Sequence, residues 1–192
     1  MSATPCTKGE WRQWFSERRR SYPLNQAQKD SEEVCRRLVA FIRKHRPISV
    51  PVSIYLPIQG EVDLSEAGRR LKGAGYLPLL PRLTLRGLEF AAISGPQDLV
   101  PGPFGLSEPK QDLLAVRPEV VVLPGLGFSR DFHRLGYGKG HYDKALHALA
   151  GAKPLTIGVG YGFQLVDHLP AEAHDHRLDA IVTPEDAWER KS

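Results

Sequence analysis

The chain has 192 residues, 41% apolar and 25% charged, a length and balance that suit a folded domain with a sizeable core. No apolar run approaches the roughly 18 residues that span a bilayer, and the first 20 residues carry no apolar signal segment. The two cysteines, Cys6 and Cys35, have neither zinc nor disulfide-framework spacing, so membrane, secreted and zinc-finger classes are set aside. A reducing cytoplasm is the expected location, and the formal net charge of +4 favours anionic partners.

In chain order, residues 8–20 read as a short amphipathic helix carrying Trp11, Trp14 and Phe15, ended by Tyr22–Pro23. Asn25 with Gln28 reads as a capping box for a second helix, in which Val34, Leu38, Phe41 and Ile42 recur at helical spacing up to Pro47. The basic residues of these two helices (Arg12, Arg18, Arg19, Arg20, then Arg36, Arg37, Arg43, Lys44 and Arg46) read for the most part as a solvated face. Val52 to Leu56 is a buried strand, and Asp63 with Glu66 caps a third helix running to Gly73–Gly75. Strands are expected at Tyr76–Leu80 and Leu88–Ile93, then a Gly- and Pro-rich loop over Ser94–Pro109. Val120 to Leu123 is a continuous apolar run, as in a central parallel strand buried on both faces. Tyr142–Ala150 reads as a helix, and Leu155–Val159 and Ala180–Thr183 as strands. Alternating strands and helices predict an α/β fold with a mostly parallel sheet, residues 1–192 forming one domain.

The stretch most informative about chemistry is Arg134-Leu-Gly-Tyr-Gly-Lys-Gly-His-Tyr-Asp143. Gly136, Gly138 and Gly140 let backbone N–H groups approach a ligand, and the helix that follows adds donors and a favourable dipole for anions. Arg134 and Lys139 supply charge for a phosphate chain, and Asp143 supplies the kind of carboxylate that holds magnesium together with phosphate oxygens and water. A Rossmann fingerprint fails because position 141 is histidine, and a Walker A loop fails because Gly140 stands where Ser or Thr is needed. By pattern alone the stretch is a generic anion loop or a simple turn. Gly158-Val-Gly-Tyr-Gly162 lacks a basic residue, so close backbone packing is its expected role.

Several segments together resemble the 5-formyltetrahydrofolate cyclo-ligase family. They are Lys8 with Arg12; Ile54-Tyr-Leu-Pro-Ile-Gln-Gly-Glu61; Phe104-Gly105 with Glu108-Pro109; and Val122-Leu-Pro-Gly-Leu-Gly-Phe128. The series continues through Arg134 to Gly140, Tyr142-Asp143, Gln164, Leu169-Pro170, His174-Asp175, Asp179 and Thr183. The resemblance implies a three-layer α/β/α fold similar to sugar-phosphate isomerases and CoA transferases. It also implies conversion of 5-formyltetrahydrofolate and ATP to 5,10-methenyltetrahydrofolate, ADP and phosphate, with Mg2+ as cofactor. On that resemblance Lys8, Arg12, Arg134, Gly136, Gly138, Lys139, Gly140 and Tyr142 would contact ATP, Lys139 and Arg134 acting in catalysis. Asp143 and Asp175 would serve the metal, and Leu56, Glu61, Tyr137 and His141 would line the folate pocket.

The expected partners are ATP and 5-formyltetrahydrofolate, with or without a polyglutamate tail; neither nucleic acid nor a membrane is expected, and the chain would be a monomer or weak dimer. The sequence departs from the family at His141, where tyrosine is usual, and at Ser129 and Phe132, where Asp and a turn glycine are usual. His174, His176 and Asp179 could suggest zinc, but no ligand set completes them. The rival readings are a phosphosugar isomerase needing no ATP and a basic RNA-binding module built on the helices at 8–46.

Overall fold

The computed structural model describes residues 5–102, 107–172 and 175–191. A seven-stranded sheet has the order β12-β11-β9-β6-β1-β2-β3. Its elements are β1 (Pro51–Ser53), β2 (Leu77–Thr84), β3 (Gly87–Ala92), β6 (Val120–Pro124), β9 (Leu155–Val159), β11 (Ala180–Val182) and β12 (Ala187–Glu189). The five inner strands are parallel, and β3 and β12 close the two edges antiparallel. Four α-helices accompany it: α1 (Lys8–Arg20), α2 (Leu24–His45), α3 (Ser65–Gly73) and α4 (His141–Leu149).

The strand order reverses beside β1. From β1 the chain crosses through α3 to β2 on one side, whereas β6 pairs with β1 on the other and leads through α4 to β9. Right-handed crossovers running in opposite directions place their helices on opposite faces. The core shows this in β6, where Val120 and Val122 join the cluster under α2 and α3 while Val121 and Leu123 join the one under α4. All four are fully buried, which explains the unbroken apolar run. The result is the three-layer α/β/α arrangement. Among the described residues no helix is long and apolar enough to cross a membrane.

A third, smaller cluster docks α1: Trp11 and Phe15 pack against Leu126, Leu135 and Leu169. The partners come from a second small sheet of β7 (Gly127–Ser129), β8 (Arg134–Leu135) and β10 (Leu165–Val166) and the segments around it. A capping box starts α1, with Thr7 Oγ1 accepting from the Glu10 N–H and Glu10 Oε2 from the Thr7 N–H.

The two capping boxes expected downstream are absent. Pro23 occupies the cap of α2 without a side-chain bond, so Asn25 lies inside the first turn and its Oδ1 accepts from the Gln26 N–H. Leu64 caps α3; Asp63 Oδ1 accepts from the Ser65 N–H, and Glu66 pairs with Arg69 and Arg70. The loop expected over Ser94–Pro109 contains a 3-10 turn and a short hairpin of β4 (Leu99–Pro101) and β5 (Ser107–Pro109). Phe104 and Gly105 lie outside the described residues, as does His174. Gly158 does pack closely, since a Cβ there would stand 2.5 Å from the Phe128 ring and 2.6 Å from Leu178.

Candidate active site

In open α/β sheets ligands bind where the strand order reverses, beyond the carboxyl ends of the strands. Here the reversal lies between β1 and β6, and there a cleft with a cavity of about 390 Å³ opens. Its walls bring together every residue assigned a site role from sequence. Lys8 and Arg12 come from α1, Leu56 and Glu61 from the segment after β1, and Arg134 from β8. Gly136 to Gly140 form the loop, His141, Tyr142 and Asp143 open α4, and Asp175 comes from the carboxy-terminal segment.

The loop is built as its glycines suggest. Gly138 and Gly140 adopt φ of +93° and +66°, left-handed values that a side chain would strain, and Gly140 caps α4 directly. Arg12 Nε donates to the Gly136 carbonyl at 3.0 Å, tying α1 to the loop. Arg134 is nearly buried; its guanidinium donates to the Pro124 carbonyl at 3.2 Å and to Asp143 Oδ1 at 2.6 Å. Lys8 Nζ lies 2.8 Å from Asp175 Oδ2 and 2.9 Å from Glu172 Oε1. Burial disfavours its ammonium form, but these hydrogen bonds outweigh that and hold its pKa above the ordinary lysine value.

Glu61 is 6% exposed. It follows a tight turn in which Gln59 and Gly60 both have positive φ and the Glu61 N–H donates back to the Ile58 carbonyl. One carboxylate oxygen accepts from the Ile58 N–H at 3.0 Å and the other from the Tyr137 hydroxyl at 2.9 Å. Burial raises its pKa above the usual carboxylate range, and the Ile58 N–H, Arg19, Tyr137 and Arg134 oppose that only in part. The Glu61 carboxylate is thus engaged by the turn and the loop, while Glu66 is the acid in the first turn of α3.

Arg19 corrects the reading of the basic helices as a solvated face: it is 6% exposed and sits behind this wall of the cleft. Its place was readable as the fourth and eighth residue after Phe15 and Trp11, on the apolar stripe of α1. Tyr55, Gln59 and Glu108, which fall in the family-like segments but were given no role, also line the cleft. Gln164 is buried beneath it, donating to the Gly125 and Leu126 carbonyls at 2.9 and 2.8 Å.

The two carboxylates expected to serve a metal, Asp143 and Asp175, both line the cleft, each paired with a cation of the same cleft. Among the described residues no group of three or more His, Cys, Asp or Glu could hold a metal by itself. Two carboxylates suit magnesium, which is bound through one or two of them with phosphate oxygens and water completing the shell. Asp179 is engaged elsewhere, accepting from Thr156 and pairing with Arg190 at 2.9 Å.

Residues 6–184 match the 5-formyltetrahydrofolate cyclo-ligase family. This chain belongs to that family. It is 31% identical over 183 residues to the 5-formyltetrahydrofolate cyclo-ligase of Escherichia coli K12, covering 90% of this chain and 98% of that one. The Mycolicibacterium smegmatis cyclo-ligase is 30% identical, with 94% and 95% covered. Among solved structures, the 5,10-methenyltetrahydrofolate synthetase of Aquifex aeolicus superposes with a TM-score of 0.79 at 29% identity, over 95% of this chain and 92% of that one.

Two departures from the family pattern meet in the turn joining β7 to β8. Phe132 adopts φ of +68°, the left-handed conformation that suits the usual glycine. The turn is held by the Phe132 N–H on the Ser129 carbonyl (2.8 Å), the Ser129 N–H on the His133 carbonyl (3.0 Å), and the Ser129 hydroxyl donating to Asp131. The Phe132 ring packs against the core cluster under α4, contact that offsets part of the backbone strain.

Proposed function

We propose that this chain catalyses ATP-dependent cyclisation of 5-formyltetrahydrofolate to 5,10-methenyltetrahydrofolate, releasing ADP and phosphate. The observation that carries this reading is the joining, in one cleft, of a cationic glycine loop at a helix start with a buried carboxylate. One half suits a phosphate chain and the other an N–H-rich heterocycle. In the proposed reaction the formyl oxygen takes the γ-phosphoryl group from ATP, ADP leaves, and N10 then attacks the activated carbon as phosphate departs. Such chemistry needs positioning and charge neutralisation more than a protein nucleophile.

Each residue's place in the cleft supports its proposed role. The loop N–H groups of Gly136 to Gly140 and the start of α4 face the phosphates, with Lys139, Arg134, Lys8 and Arg12 supplying positive charge. Tyr142, half-buried on the cleft wall with the Arg134 guanidinium over its ring, contacts the ATP side. Glu61 accepts hydrogen bonds from the amino-pyrimidine edge of the pterin, and Leu56, Tyr137 and His141 line the folate side. Magnesium, held by Asp143 and Asp175 with the phosphates, would neutralise charge on the oxygens of the transferred group. Arg134 and Lys8 pair with those same carboxylates, which sets cations and metal-binding oxygens side by side along the path proposed for the phosphate chain.

The test is absorbance of the methenyl product on mixing the protein with Mg-ATP and 5-formyltetrahydrofolate. Growth of that band only when ATP is present is expected; its absence, or equal turnover without ATP, overturns the reading.

A further inference from the structure

Behind the cleft wall lies a charge that the reaction as described does not use. The Arg19 side chain is 3% exposed and does not line the cleft. Its Nη1 donates to the Tyr137 hydroxyl at 2.6 Å and lies 3.9 Å from Glu61 Oε1; its Nη2 donates to the Gly125 carbonyl. Tyr137 in turn donates to that same Glu61 oxygen. The methylene stem packs across the Glu61 turn, where a Cβ on Gly60 would stand 3.4 Å from Arg19 Cγ. A buried guanidinium is costly unless compensated, and Arg19 Nε has no hydrogen-bond partner among the described residues. A helix stripe that otherwise carries Trp11 and Phe15 would be filled more cheaply by leucine or methionine, so the charge itself calls for an explanation.

We propose that Arg19 is a positioning residue for folate recognition: from behind the wall it fixes the Tyr137 hydroxyl and the Glu61 carboxylate in one orientation and supplies the counter-charge that keeps Glu61 an acceptor. This rests on Glu61 being the pterin anchor. A carboxylate accepts two N–H bonds from an amino-pyrimidine, whereas a carboxylic acid presents a competing O–H. The groups facing Glu61 are Arg19 of α1, Arg134 of β8, Tyr137 of the loop and Tyr55 after β1. Tyr142 of α4, the Ile58 N–H and Tyr161, whose hydroxyl donates to the Glu61 carbonyl at 3.2 Å, complete the set. Only Arg19 and Arg134 among these are cations, and Arg134 is already committed to Asp143. Removing Arg19 takes away one of the two cations facing the buried carboxylate and leaves the Ile58 N–H, Tyr137 and Arg134 to oppose protonation, so affinity for folate is lost at a higher pH than in the parent.

The experiment is equilibrium binding of 5-formyltetrahydrofolate without ATP, from about pH 5.5 to 8.5, for parent, Arg19→Met, Arg19→Lys, Tyr137→Phe, Glu61→Gln and the Arg19→Met/Glu61→Gln double variant. The ligand's own titrations cancel in ratios of variant to parent. Arg19→Met is expected to move the loss of affinity upward by about one pH unit or more, so that near pH 6 it binds roughly tenfold more weakly than parent and recovers at high pH. Arg19→Lys keeps the charge and should follow the parent more closely. Tyr137→Phe removes one hydrogen bond to the carboxylate and should shift the profile in the same direction by less; it decides the matter if Arg19→Met does not fold. The double variant should show no pH dependence beyond that of Glu61→Gln. A folded Arg19→Met that is weaker by the same factor at every pH would mark Arg19 as merely structural and overturn the proposal. Folate binding unchanged in Glu61→Gln would instead remove the pterin anchor, and this proposal with it.

Discussion

Lys139 and Arg134 both bring positive charge to the loop, but they are replaceable to different degrees. Arg134 spans two partners, the Pro124 carbonyl and Asp143, with the separate arms of one planar fork. Lysine cannot hold both, so Arg134→Lys should raise the KM for ATP and lower kcat, where a pure point charge would be rescued. For Lys139→Ala, loss of one preorganised contact to the transferred phosphoryl group predicts a fall in kcat of roughly 10²–10³. Steady-state rates with both substrates saturating check each; a Lys139→Ala enzyme near parental kcat would make that side chain a bystander. Asp143→Asn keeps the shape and removes the metal-binding charge. It should raise the Mg2+ concentration needed for half-maximal rate while leaving folate affinity measured without ATP close to parent. At this scale the loop was legible as an anion loop or turn from its glycines and cations, whereas Glu61 was singled out only by the resemblance to the cyclo-ligase family. The sequence hid Arg19, since charge suggests solvent and only the spacing from Trp11 and Phe15 argues otherwise.

Among the elements, those marked by an apolar run or a helical period were legible, three-residue β1 and β11 included, and several other short ones were not. β6, β9, α1 and α4 were all readable within a few residues because apolar runs and helical periods mark them. β7, β8, β10 and β12 have two or three residues each and therefore no period to detect; tertiary pairing alone defines them. The two mistaken capping boxes match the pattern in sequence, but Pro23 and Leu64 start the helices elsewhere. The Phe132 turn is similar: its left-handed backbone is imposed by the ladder between β7 and β8, not by the residue. Gly158 shows what such packing demands. With Phe128 and Leu178 inside 2.6 Å of any Cβ, Gly158→Ala should destabilise the fold by about 1–3 kcal/mol through overpacking. Chemical denaturation would show it as a lower midpoint at unchanged slope.

At the scale of the whole molecule, the cleft is closed by a helix held on through a satellite core. Trp11 and Phe15 dock on Leu126, Leu135 and Leu169, apart from the two clusters that bury the central sheet. Such a unit opens locally at lower free energy than the sheet. Amides of α1 should therefore exchange faster than those of β6, and Mg-ATP, bridging Lys8 and Arg12 to the loop, should slow α1 selectively. Equal protection of α1 and β6 without ligand would contradict this. The same arrangement bears on how the chain is made. Arg12 meets Gly136 across 124 positions and Lys8 meets Asp175 across 167. On a ribosome adding roughly 5–20 residues per second, α1 emerges on the order of ten seconds before the last of its docking partners. During that interval its aromatic face has no native cover, which makes it a natural handle for a chaperone. The nascent chain gains the complete cleft only after Asp175 has emerged.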